Sequence, residues 1–512
     1  MTPVTAVAAE LPAVFRDLEP SAVWRHFATL CQIPRASKVE AALRAHLYDW
    51  ARAAGLTPSI DAAGNLLIRK AASRGHDEAP GVILQAHLDM VCQKNGRSAH
   101  DFARDAIHPV VRDGWLLAEE TTLGADNGIG VALILAVLAD RQLPHGPIEA
   151  LLTIDEEAGM GGARGLAPDL LQGRLLLNLD TEEWGEFYLG CAGGIDVDVS
   201  RPGTPSALPE GTEGWRIRLE GLRGGHSGVD IHEQRGNAIK LLTRVLCALD
   251  KAIPLRLASL RGGSARNALP REAHATLALP TGSEARLQRH LSDWQSRLRR
   301  ELAGVDDGVR LEWERCTLAA VAESDAPGAV LAPAEQAVWL ASLHAAPYGV
   351  RHMSRQLPGV VETSNNLGQV ELTPAGGRAN FMVRSLHEAG SQALADEIAS
   401  LFALTGTPVT QSGAYPGWTP NPHSPLLAQC QRVYAQEFGQ EARVQVIHAG
   451  LECGIIGAAY PGLDMVSFGP TIRGAHAPGE RVDIASVALT WRLLTQILAA
   501  LAERPAQPAA SR

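Results

Sequence analysis

The chain has 512 residues, 46% of them hydrophobic and 20% charged, with a formal net charge of -10. That length exceeds what one hydrophobic core usually organises, so two domains or one interrupted domain are expected, and the composition excludes disordered and fibrous classes. An acidic balance with no basic block disfavours partnership with nucleic acid or an anionic membrane.

Residues 1–15 carry no basic stretch ahead of their short apolar run, so they do not read as a secretory signal, and a cytoplasmic location is expected. Ser37 to Glu40 has the capping-box pattern, and apolar residues at helical spacing through 41–56 predict a helix starting there. The runs 65–70, 81–89, 148–155 and 174–180 are short and apolar, as strands of a buried sheet are, and 127–140 between them reads as a buried helix. This alternation predicts an α/β domain with helices on both sheet faces. Residues 201–214 concentrate Pro and Gly without apolar periodicity and read as a linker. Beyond them, 215–222, 309–314 and 378–385 predict strands, while 237–252 and 284–302 predict amphipathic helices, an α+β pattern. After the turn-rich 414–418, the segments 424–438, 444–449, 463–469 and 484–501 resume the first pattern. The expectation is one α/β domain, 1–196 with 405–512, interrupted by an inserted domain, 197–404, and a loose tail at 504–512.

No apolar run approaches the roughly 20 residues of a membrane span. The seven cysteines are scattered, odd in number and free of C-x-x-C pairs, which argues against a disulfide framework or a thiolate zinc knot.

Four strands or their following loops end in metal-competent side chains: His87 and Asp89, Asp126, Glu156 and Glu157, and Asp180. Each has an ordinary reading alone. A histidine ending a strand can be structural, Asp126 can cap a helix, and the glutamate pair can be a solvated turn. Together they would repel one another unless a cation sat among them. His476, in the Gly- and Pro-rich loop 469–480, adds a second imidazole. Two histidines with several carboxylates and no thiolate suit zinc, cobalt or manganese.

With QAHLDMV (85–91), TTLGADNGIG (121–130), TIDEEAGM (153–160), CAGGID (191–196), GGHSG (224–228), RNALPREA (266–273), VVETSNN (360–366), AYPGW (414–418), HAGLECG (448–454) and SFGPTIRGAHAPGE (467–480), the chain resembles the M20 metallopeptidases. Within them it resembles the aminoacyl-histidine dipeptidases. The resemblance implies an M20-like zinc-peptidase catalytic domain with an inserted α+β lid that serves substrate binding and dimerisation, and two divalent metal ions. It implies His87 and Asp180 as ligands of one ion, Glu157 and His476 of the other, and Asp126 bridging both. It implies Asp89 as the carboxylate orienting His87, Glu156 as general base and proton shuttle, and His226 as the donor to the oxyanion. Asn267 and Arg384 resemble substrate-binding positions, and Glu452 has the chemistry to meet a substrate amino group. A turn histidine, a strand charge and a buried salt bridge are the ordinary readings of His226, Arg384 and Glu452. The implied reaction is hydrolysis of unblocked dipeptides, Xaa-His and carnosine among them, by a homodimer. The rivals are an N-acyl-amino-acid amidohydrolase or carboxypeptidase with the same metal site, and a noncatalytic zinc-binding scaffold.

Overall fold

The structure, a computed structural model, describes residues 11–317 and 328–503; the expected loose tail, 504–512, lies outside them. The chain forms two compact units, the first made of 1–190, 420–446 and 452–512, the second of 191–419 and 447–451.

In the first unit the apolar runs form an eight-stranded sheet, ordered Thr57–Ile60, Leu66–Lys70, Ile148–Thr153, Val82–His87, Leu175–Asn178, Asp464–Ser467, Glu186–Cys191, Arg443–Ile447. Its central strands run parallel, and Val82–His87 is buried along its whole length. That explains a continuous rather than alternating apolar run. Helix Ala125–Ala139 is buried from Asn127 to Leu138 and packs against Ser21–Gln32 and the strand Val82–His87. Among the described residues, one helix, Ile484–Ala502, is long and apolar enough to cross a membrane. Its residues Val487, Leu494 and Ile497 are fully buried in the protein.

The expected helix forms over Ala41–Ala53, but the capping box does not. Lys38 takes φ +70°, which breaks the turn a capping box needs. The Ser37 hydroxyl goes instead to Asp89 Oδ2 at 2.7 Å, and Glu40 Oε1 accepts from the Asp155 amide at 2.9 Å.

The second unit is an antiparallel sheet of nine strands, ordered Arg310–Cys316, Thr212–Glu220, Ala273–Pro280, Arg256–Gly262, Val361–Thr373, Gly376–Ser385, Gly193–Pro202, Val409–Tyr415, with Gly349–Met353 pairing beside Val361–Thr373. Helices Ala238–Ala252, Glu284–Glu301, Pro333–Ala345 and Glu388–Ala403 contribute Leu246, Leu291, Trp339 and Phe402 to a core with Ile217, Leu277 and Phe381. Both expected boundaries shift. Residues 193–202 and 409–415 pair with each other in this sheet, so the unit begins at Cys191 and extends to Thr419. The Pro- and Gly-rich 201–214 therefore lies inside the unit, where Pro205–Ala207 forms a short strand paired antiparallel with Ala329–Leu331. Residues 447–451 also join it: the Ala192 amide donates to the Ile447 carbonyl at 3.1 Å, and Ser364 Oγ lies 2.8 Å from His448 Nε2.

Candidate active site

Parallel strands deliver their C-terminal ends to one edge of a sheet, which is where α/β proteins gather reactive groups. Here that edge carries His87 at the end of its strand, Glu156 and Glu157 just past Ile148–Thr153, and Asp180 just past Leu175–Asn178. Asp126 joins from the start of helix Ala125–Ala139, next to a cis Asp126–Asn127 peptide, and His476 from a loop in which it takes φ +65°.

Asp126 faces two imidazoles at once: Oδ1 is 3.2 Å from His87 Nε2, and Oδ2 is 3.2 Å from His476 Nε2. His87 Nε2 is also 3.3 Å from Asp180 Oδ1, and His476 Nε2 is 3.0 Å from Glu157 Oε1. Donor atoms of His87, Asp126 and Glu157 lie within 4.8 Å of one another. Ligands about 2.0–2.1 Å from a tetrahedral ion stand about 3.3–3.4 Å apart, so these separations are those of groups that fit a divalent cation. The imidazole and carboxylate set, without thiolate, fits as well.

The groups around this cluster fix its shape. Asp89, with no exposed surface, lies with Oδ1 3.4 Å from His87 Nδ1. The same carboxylate accepts the Glu156 and Glu157 amides at 3.0 and 3.1 Å, so one side chain sets both the His87 ring and the glutamate turn. Glu480, 2% exposed, accepts the Leu123 and Gly124 amides on Oε2 at 2.8 and 2.9 Å and the Asp126 amide on Oε1 at 3.1 Å. Asn127 Nδ2 donates to Asp180 Oδ1 and to the Leu179 carbonyl. The sequence reading did not single out Glu480, Asn127 or Ser37 as site residues. Glu480 had a signal, since it closes the same 467–480 motif as His476.

Burial, then the carboxylates of Asp180, Glu157 and Glu452, push the Glu156 carboxyl well above the usual range. Hydrogen bonds to Asp126 and Glu157 raise His476 to about 11. Burial alone would lower His87, but Asp180, Asp126 and Asp89 around it carry it well above its ordinary value. This is an excess of negative charge in a dry setting, which a cation relieves.

Glu452 starts helix Glu452–Ala459 and has no exposed surface. Its Oε2 accepts from Gln85 Nε2 and Thr153 Oγ1, both at 2.6 Å, while Oε1 has no partner. Burial first, then Asp180 and Asp89, raises it to about 7. No ion pair holds Glu452 among the described residues.

Three expected residues lie in the second unit. His226 Nδ1 accepts the Gly228 and Val229 amides at 3.2 and 3.0 Å, so the ring carries its proton on Nε2, as a donor. Exposed Asn267 stands beside it, its carbonyl accepting the Ser227 amide at 2.8 Å. Arg384, near the end of Gly376–Ser385, is 4% exposed; Nη1 donates to the Tyr415 hydroxyl at 2.9 Å, Nε has no partner, and no carboxylate among the described residues pairs with it. A buried guanidinium without a counter-charge is costly and calls for an anion.

An α/β sheet whose strand ends gather imidazoles and carboxylates, carrying an inserted α+β unit, defines a metal-dependent hydrolase. Residues 83–500 match peptidase family M20/M25/M40. The chain belongs to that family and binds divalent metal. It is 44% identical over 94% of its length to the cytosol non-specific dipeptidase of Escherichia coli K12, covering 98% of that protein. It is similar to the solved aminoacylhistidine dipeptidase of Vibrio alginolyticus, with a TM-score of 0.83 and 44% identity over 94% of this chain and 97% of that one. The fold alone is shared with a tripeptidase from Staphylococcus aureus, with a TM-score of 0.55 and 18% identity over 95% of this chain and 100% of that one.

Proposed function

We propose that the protein is a cytoplasmic, homodimeric dipeptidase that hydrolyses dipeptides with free termini, Xaa-His among them, using two divalent ions, zinc first. One observation carries the two-ion reading: the oxygens of Asp126 each face a different imidazole, with Asp180 beside one and Glu157 beside the other. His87 and Asp180 would hold one ion, His476 and Glu157 the second, and Asp126 both. Bound there, such ions polarise the scissile carbonyl and acidify the attacking water.

The protein's own groups do the rest. Glu156, whose amide is held by Asp89, takes the proton of the attacking water and passes it to the leaving amine; its raised pKa suits a group that must hold that proton between the two events. Asp89 keeps the His87 ring in place. His226 donates from Nε2 to the oxyanion, Arg384 takes the C-terminal carboxylate, Asn267 lines the same subsite, and Glu452 meets the substrate amine through Oε1.

Cleavage of Ala-His beside N-acetyl-His by the zinc-loaded protein tests the reading. Fast hydrolysis of the first and little of the second is expected, because a pocket built to pair the free amine loses that pairing when it is blocked. The reverse preference would make the protein an acylamino-acid amidohydrolase. Two zinc equivalents per chain by elemental analysis, and a dimer by sedimentation equilibrium, are expected.

A further inference from the structure

The Arg384 side chain and the loop bearing His226 touch. A Cβ placed on Gly228 would lie 3.0 Å from both Cδ and Nε of Arg384 and 1.9 Å from the His448 carbonyl oxygen, so the loop is wedged between those two residues and only glycine fits there. The same Gly228 donates its amide to His226 Nδ1 at 3.2 Å. Two contacts therefore join the guanidinium to the imidazole. On the far side, Arg384 Nη1 is held by the Tyr415 hydroxyl, and Tyr415 reaches it over Gly194, where a Cβ would stand 2.8 Å from that hydroxyl. With Nη1 engaged, the edge of the fork left for bidentate pairing is Nε with Nη2. Nε is buried, has no partner, and is the atom against Gly228. An anion that fills this edge must displace or clamp the Gly228 backbone. His448 offers no compensating charge: burial, then Arg384 and His226, lower its imidazole to about 3.

We propose that recognition of the substrate's C-terminal carboxylate by the Nε edge of Arg384 sets the position of the His226 imidazole through Gly228, with Tyr415 as the positioning residue that presents that edge. The proposal rests on the dipeptidase reading above. Its consequence is that the free carboxylate contributes to turnover as well as to binding, the pattern of remote binding energy expressed at the reacting centre.

The experiment is steady-state kinetics of the zinc-loaded protein on Ala-His and on Ala-His amide, following released alanine, for the parent, Gly228→Ala, Tyr415→Phe and Arg384→Ala. In the parent, amidation is expected to lower kcat by about tenfold or more in addition to raising KM. Gly228→Ala should lower kcat on the acid by a larger factor than on the amide, bringing the acid-to-amide kcat ratio toward one. Tyr415→Phe, which removes one hydroxyl and keeps the ring, should move the acid-to-amide kcat ratio in the same direction by a smaller factor, with unchanged circular dichroism; it answers the question even if Gly228→Ala does not fold. Equal parent kcat values on acid and amide, or variants that slow both substrates by one factor, would overturn the coupling. Failure of the underlying reading looks different: Arg384→Ala would then keep the full preference for the acid in KM.

Discussion

Glu480 reaches Asp126 only through that residue's backbone amide and touches no ligating atom, yet replacing it should weaken both proposed metal sites. Its carboxylate accepts three backbone amides, those of Leu123, Gly124 and Asp126, and so fixes the loop that presents the carboxylate shared by both histidines. In Glu480→Gln the amide oxygen can keep the pair at Oε2, but the new NH2 then faces the Asp126 amide, donor against donor. Loss of one charge-assisted hydrogen bond costs about 1.5–3 kcal/mol. Expressed as displacement of Asp126, that is about one to two orders of magnitude in metal affinity, the range found when outer groups of metal sites are removed. Titration of the apoprotein with zinc against a chelating dye reads it directly. Both binding steps should weaken together by about tenfold to a hundredfold, while the Asp89-held turn and overall circular dichroism stay as in the parent. Two parent-like steps would refute the argument, and weakening of one step alone would put Glu480 behind a single ion rather than behind the shared carboxylate.

Glu156→Gln should keep both zinc equivalents and the fold while losing about 10²-fold or more in kcat, since it removes proton transfer but no ligand; elemental analysis with turnover checks both halves. Asp126→Ala should lower occupancy of both sites, whereas His87→Ala and His476→Ala should each lower chiefly one, and calorimetric titration separates the cases. Glu452→Gln should raise KM for dipeptides with a free amine and leave N-acetylated substrates unaffected, because only the former need the charge at Oε1; equal effects on both would confine Glu452 to its bonds with Gln85 and Thr153.

Much of the framework was readable because its cause is local. The runs 65–70, 81–89, 148–155 and 174–180 become the strands Leu66–Lys70, Val82–His87, Ile148–Thr153 and Leu175–Asn178, and the apolar 127–140 becomes the helix Ala125–Ala139. Apolar period and length decide such elements before any partner is known. The positions of His87, Glu156, Glu157, Asp180 and Asp126 were readable for a related reason: each ends or follows a strand or opens a helix, and a parallel sheet brings strand ends to one edge, whereas His476 comes from a loop and was marked only by its motif.

What the chain's order alone left undecided depends on groups that meet only after folding. Ser37 and Glu40 look like a cap for their own helix but serve Asp89 and the Asp155 amide, because neighbouring strand ends offer those buried partners and Lys38 turns the backbone away. The Pro- and Gly-rich 201–214 looks like a boundary, whereas pairing between 193–202 and 409–415 puts it inside a sheet, since register between distant strands carries no local mark. Glu480 beneath Asp126 and Gly228 against Arg384 are likewise tertiary facts. The sequence by itself determined which elements form and which side chains can hold a metal; only the tertiary structure decided which backbone amides and buried charges each of them answers to, because a hydrogen-bond partner is chosen by proximity in space.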